Sequence, residues 1–181
     1  MRSPIITLPD LRNFAFGGTS AYLEVLLPRM TTPLLETLRI EFVDQLSFAL
    51  PHLLQFLNTI GNLRFGRATF TLDERISVLL YLHAVARMAL LSIEVSCEHR
   101  VWQIASAAQI INALRMVFSS VRYLVLEHTN SDSMSPELTD EADRSQWHEL
   151  LRSFSNLKVL HIPGELIWAL SCSLESDDED G

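Results

Sequence analysis

The stretch FSSVRYLVLEH at residues 118–128 returns 36 residues later as FSNLKVLHIPG at residues 154–164. Phe118 matches Phe154, and Val121, Leu124 and Leu126 match Leu157, Leu160 and Ile162. The shared spacing is L-x-x-L-x-L. Its last three positions have period two, so they describe a short strand whose two apolar residues face one way and whose middle residue faces the other. The first apolar position sits in the turn that leads into the strand. One such unit cannot bury its apolar face alone, so the pattern demands neighbours that share a core.

The same spacing fits Leu11, Phe14 and Phe16; Leu35, Leu38 and Ile40; Phe65, Ala68 and Phe70; and Leu90, Ile93 and Val95. The first positions of the resulting six segments step by 24, 30, 25, 31 and 36 residues. Leucine-rich repeats run about 20–29 residues per unit, so the spacing predicts an irregular array. The expected fold is α/β: a leucine-rich-repeat-like solenoid of about six units, with parallel strands on the concave side and helices on the convex side.

The segments between the strands read as helices. TSAYLEVLLPRM offers Thr19 or Ser20 as an N-cap and Pro28 as a stop. ALPHLLQFLNTIGN places Pro51 in a first turn and Gly61 near an end. In WQIASAAQIINALRMVFSS, Ile104, Ala107, Ile111, Leu114 and Phe118 recur at helical steps, and Trp147, Leu150, Leu151 and Phe154 do so in SQWHELLRSFSN. FGG at 16–18 reads as a strand-to-helix turn in which glycine permits a positive φ. Residues 74–87, ERISVLLYLHAVAR, fit either a helix or a strand, because periodicity does not separate the two in so apolar a run.

The formal net charge is −8 over 181 residues, and it is concentrated. The segment 129–144 and the tail ESDDED carry five acids each against the single Arg144, which leaves the body near neutral. The segment 129–144 reads as an acidic loop inserted into a domain spanning 1–174, and 175–181 as a disordered acidic tail. No run of Lys and Arg marks a phosphate-binding track, so nucleic acid is not an expected partner. The longest apolar stretch, 76–95, is broken by His83, Arg87 and Glu94, so no membrane span is expected either. Cys97 and Cys172 are too few for a disulfide framework, and with no apolar leader at the N-terminus they point to an intracellular setting, cytoplasmic or nuclear.

Catalytic chemistry finds little support. Cys97 and His99 in CEH have no second ligand pair for structural zinc, and a nucleophilic cysteine needs a base held by a third group. The chain has no G-x-S-x-G, G-x-G-x-x-G or P-loop. No catalytic residue, metal or cofactor is therefore expected. The outward strand positions are the expected binding surface: Thr37, Arg39 and Glu41; Arg67, Thr69 and Thr71; Ser92 and Glu94; Tyr123, Val125 and Glu127; Val159 and His161. Arg39, Arg67 and Tyr123 are of the residue types that anchor interfaces.

The phrases LRNFAFGGTSAYLEVLLPRMTTPLLETLRIEF, PHLLQFLNTIGNLRF, WQIASAAQIINAL and LLRSFSNLKVLHI carry a resemblance across most of residues 8–172. The chain resembles the leucine-rich-repeat region of F-box-associated proteins of mushroom-forming fungi. That resemblance implies a β-hairpin over 70–96, and so a strand rather than a helix at 74–87. It also implies a substrate-recognition region of the kind that F-box adaptors present to ubiquitin ligases. MRSPIITLPDLRNF runs straight into the first unit and SCSLESDDEDG follows the last, so a fragment or shortened paralogue without an F-box is expected. The expected partner is a protein ligand, joined by ubiquitin-ligase subunits in any longer form that bears an F-box. Two alternatives stand beside this reading. One is an acidic-tailed repeat module binding basic proteins such as histones, similar in outline to acidic leucine-rich nuclear phosphoproteins. The other is a truncated paralogue without function.

Overall fold

A computed structural model of the chain describes residues 4–43, 45, 47–60, 64–72, 75–83, 90–96, 100–128, 141–164, 166–167 and 171. All six segments that carry the L-x-x-L-x-L spacing contain strands: β2 (Asn13–Gly18), β4 (Thr37–Phe42), β5 (Arg67–Leu72), β7 (Leu91–Ser96), β8 (Tyr123–His128) and β9 (Val159–His161). Two short strands, β1 (Ile6–Thr7) and β3 (Met30–Thr31), pair separately. Within the ambiguous run 74–87 a strand forms, β6 (Arg75–Tyr81), and 74 and 84–87 lie outside the described residues.

The order of these strands corrects the solenoid expectation. An array of stacked units would place the strands side by side in chain order, all parallel. The structure is instead a mixed α/β fold with one seven-stranded sheet in the order β2-β4-β7-β6-β5-β8-β9. β6 runs antiparallel to both of its neighbours, while β2, β4 and β7 form one parallel wing and β5, β8 and β9 the other. The chain leaves β4, makes β5 three positions away, and then fills the gap backwards through β6 and β7. The reason is the short separation between β5, β6 and β7. Parallel neighbours need a crossover of a dozen residues or more, whereas antiparallel strands join through tight connections. The register moves with the order: Leu38 lies opposite Leu91 and Ile40 opposite Ile93, two residues from the alignment that the L-x-x-L-x-L spacing predicts.

Within each wing the local repeat survives. At the entry to three parallel ladders one carbonyl accepts two successive backbone N–H groups. Arg12 O accepts from Glu36 and Thr37 (2.6 and 2.9 Å), Gly66 O from Arg122 and Tyr123 (both 3.1 Å), and Arg122 O from Lys158 and Val159 (2.8 and 3.0 Å).

Among the described residues the sheet is accompanied by the helices α1 (Ser20–Leu26), α2 (Pro51–Thr59), α3 (Arg100–Ala113), α4 (Arg115–Phe118) and α5 (Glu141–Arg152). α5 begins inside the segment read as an acidic loop, so 141–144 are helical, and 129–140 lie outside the described residues. α2 has no side-chain cap of its own at Leu50. The Glu24 carboxylate on α1 replaces it, accepting the N–H groups of His52 (2.7 Å) and Leu53 (2.9 Å), where a negative charge also favours the helix dipole. Gly18 closes β2 at φ 149°, a conformation that L side chains rarely adopt, and an added Cβ there would meet the Phe16 ring at 3.3 Å.

The inward residues of the strands and the inner faces of the helices form one core. Ile76, Val78 and Leu80 of β6, Ile93 and Val95 of β7, and Ile40 and Phe42 of β4 are fully buried. Ala107, Ile111, Leu114 and Phe118 follow the helical stripe expected of them, and Trp147 and Leu150 do the same on α5. The two phenylalanines of the recurring motif meet: the Phe118 and Phe154 rings sit edge to face at 5.6 Å, and Phe70 lies 6.1 Å from each. β9 departs from expectation, since Leu160, assigned to the core, is 38% exposed.

Two outcomes check this architecture. Phe118→Ala should cost about 3–5 kcal/mol of unfolding free energy in urea denaturation, as expected for a fully buried aromatic ring. In a chain with Cys97→Ser and Cys172→Ser, Arg39→Cys with Ser92→Cys should cross-link on oxidation. Arg39→Cys with Thr69→Cys should not, because β7 and β6 stand between those positions; the reverse result would restore the sequential order.

Candidate protein-recognition face

Strand pleating sends alternate side chains to the face opposite the core. The register aligns them in three rows. A central row runs across all seven strands through Ala15, Arg39, Ser92, Leu79, Thr69, Val125 and His161. An acidic row passes through Gly17, Glu41, Glu94, Ser77, Thr71 and Glu127. The third row, Tyr81, Arg67, Tyr123 and Val159, crosses β6, β5, β8 and β9 at the start of the parallel strands.

The acidic row is largely neutralised. Arg75 donates to Glu41 at 2.9 Å, and Arg39 pairs with Glu94 at 2.9 Å. The Arg39 side chain is 62% exposed, so its pair is worth well under about 1 kcal/mol and mainly settles the two neighbouring carboxylates of β4 and β7. Thr71 donates to Glu127 at 3.5 Å.

The third row differs in kind. The Arg67 guanidinium lies over the Tyr81 ring, 5.2 Å from its centre, which fixes the cation against an aromatic face. Its Nε is buried and has no hydrogen-bond partner among the described residues. Next along β5, Thr69 is only 2% exposed and its Oγ1 is likewise unpartnered. A buried hydroxyl without a partner costs about 1–3 kcal/mol. Such groups are uncommon in folded proteins; Thr32 Oγ1 and Gln146 Oε1 share the property elsewhere, and the Arg67 and Thr69 atoms are covered by their own neighbours on the sheet. Tyr123 and Val159 are 40% and 45% exposed and extend the row as an apolar shelf.

Beside this row opens a cleft of about 330 Å³ at the ends of β5, β6 and β8. Arg64, His83, Arg122 and Tyr123 line it, over an apolar base of Phe65 and Leu82. Ser120 also reaches the cleft, but its hydroxyl is committed: it accepts from Phe65 N at 3.0 Å and donates toward Val117 O at 3.0 Å or Phe65 O at 3.2 Å. It is therefore a structural brace.

The structure separates what the sequence grouped. Arg67 and Tyr123 stand directly opposite one another on adjacent strands. Arg39 lies three strands from β5, roughly 14 Å at the usual strand spacing, and engages a carboxylate instead. Thr69 is enclosed rather than open, while Val125 is half-buried and Val159 and His161 are exposed. Ser77, Leu79 and Tyr81 on β6 join the face, and their alternation with Ile76, Val78 and Leu80 is the signal that could have placed them there. Cys97, His99 and Cys172 lie outside the described residues. Among the described residues no group of three or more His, Cys, Asp or Glu side chains could hold a metal ion, and no helix is long and apolar enough to cross a membrane.

No family model, curated protein or solved structure matches the chain.

If Thr69 Oγ1 is unpaired in the free protein, Thr69→Val should leave stability unchanged or raise it by up to about 1 kcal/mol in urea denaturation. A clear loss of stability would mean that the hydroxyl already has a partner.

Proposed function

We propose that this chain is a non-enzymatic protein-recognition module that holds its partner on the outer face of the sheet. The observation that carries this reading is the Tyr81–Arg67–Tyr123–Val159 row, in which Tyr123 and Val159 are exposed beside the Arg67–Tyr81 pair. A rigid row of Tyr and Arg on paired strands is the composition of an interface centre, where a few aromatic and guanidinium anchors dominate the binding energy. Strand backbones hold these side chains in place before binding, so little ordering entropy is lost on contact. In the setting implied by the resemblance to F-box-associated proteins, the ligand is a protein presented to a ubiquitin ligase, and the site of action is intracellular. The alternative of a basic partner draws less support, because two of the three carboxylates in the acidic row already hold arginines of this chain.

Arg67→Ala combined with Arg39→Ala and Tyr123→Ala tests the face. Partners recovered with the purified chain from a lysate of the source organism, read by mass spectrometry, should be lost with this triple variant. They should persist with Tyr22→Ala and Met116→Ala, two residues of the helices that are 74% and 73% exposed. Equal retention by both variants would sink the proposal.

A further inference from the structure

The fold gathers three arginines that the sequence scatters, with a histidine beside them. Arg64 and Arg67 precede and open β5, Arg122 precedes β8, and His83 follows β6. The parallel pairing of β5 with β8 and the antiparallel pairing of β5 with β6 bring all four to one corner. Arg64, His83 and Arg122 line the 330 Å³ cleft, and Arg67 stands on the row beside it with its guanidinium on Tyr81. Ion pairs among the described residues engage Arg12, Arg39, His52 and Arg75 with Glu36, Glu94, Glu24 and Glu41, and leave these three corner arginines without a carboxylate. In a chain of net charge −8, unneutralised guanidinium groups gathered at a cleft with aromatic walls are unusual, and they define what would complement them.

We infer that this corner is an anion-recognition site, which takes a carboxylate- or phosphate-bearing side chain of the partner polypeptide. The inference rests on the protein-recognition reading above and names the chemistry of what is recognised. Guanidinium forks donate paired N–H groups to planar or tetrahedral oxyanions, and such charge-assisted bonds are about twice as strong as neutral ones. The cleft is at the small end of the usual range for ligand sites, about 300–1,000 Å³, which suits one side chain rather than a whole folded surface. Phe65, Leu82 and Tyr123 give the aliphatic stem of that side chain an apolar wall. Three arginines at one corner do not form the extended basic track that nucleic acid requires, so a peptide is the matching source.

The test uses the full chain with isotope-labelled arginine side chains, observed by nuclear magnetic resonance. The probes are inorganic phosphate and three short peptides of one apolar frame bearing phosphoserine, glutamate or glutamine at the same position. The phosphoserine or the glutamate peptide should produce saturable shifts at the side-chain signals of Arg67 and Arg122, and the glutamine peptide should not. Arg39 and Arg75, which hold Glu94 and Glu41, serve as internal controls and should stay still. A response to the phosphoserine peptide and to inorganic phosphate, with none to glutamate, assigns the site to phosphate; a response to glutamate assigns it to carboxylate. Arg64→Gln with Arg122→Gln should weaken the responding peptide at least roughly tenfold while the backbone spectrum is retained. Equal shifts at all arginines, or none at Arg67 and Arg122 at millimolar probe, would overturn the inference. If the face variant still loses its partner in that case, the protein-recognition reading stands and only the anion site falls.

Discussion

The sheet depends on β6. Among the described residues it alone has antiparallel ladders on both sides, pairing through Ile76–Tyr81 with β5 and through Arg75–Leu80 with β7, and its inward residues Ile76, Val78 and Leu80 are fully buried. Take it away and two three-stranded parallel wings remain, β2-β4-β7 and β5-β8-β9, with nothing to join them. β6 also sets the register of the outer face. A slip of one residue in its pairing would turn Leu79 inward and Leu80 outward, scattering the central row and lifting Tyr81 from Arg67.

Period-two spacing made the inward residues of the strands legible in the sequence. Leu38, Ile40, Phe70, Ile93, Leu124 and Leu126 are all buried as the L-x-x-L-x-L pattern requires. Strand order was not legible, because spacing along the chain says which face a residue takes and nothing about which strand lies next to it. The β5–β6–β7 meander joins its strands through connections shorter than the dozen residues a parallel crossover needs, so it displaced the stacked order that unit-by-unit reasoning predicts. The run 74–87 was ambiguous for a related reason. Leu79 is apolar yet faces outward between Ser92 and Thr69, which blurs the alternation that identifies a strand.

The candidate site was only half legible. Arg67 and Tyr123 were identified as outward anchors, and the structure sets them opposite one another. The arginine corner escaped notice because Arg64 and Arg122 belong to different wing strands, which only the pairing of β5 with β8 brings together. Composition counted too few clustered bases, and the count was correct along the chain but not across the sheet. The same topology sets Arg64, Arg67 and Arg122 where β5 and β8 begin, while Glu41 and Glu94 near the far ends of β4 and β7 hold Arg75 and Arg39.

The meander has a consequence for how the chain assembles. Its strands lie within residues 67–96, so their closure spans short loops and little entropy is lost in bringing them together. The pairing of β5 with β8 joins Arg67 to Tyr123, and that of β4 with β7 joins Leu38 to Leu91, across far longer stretches. Local contacts form faster than distant ones. The antiparallel centre is thus the natural nucleus, a template already edged by β5 on one side and β7 on the other. The two wings then condense onto it outward, and the arginine corner comes into existence only when β8 has docked on β5.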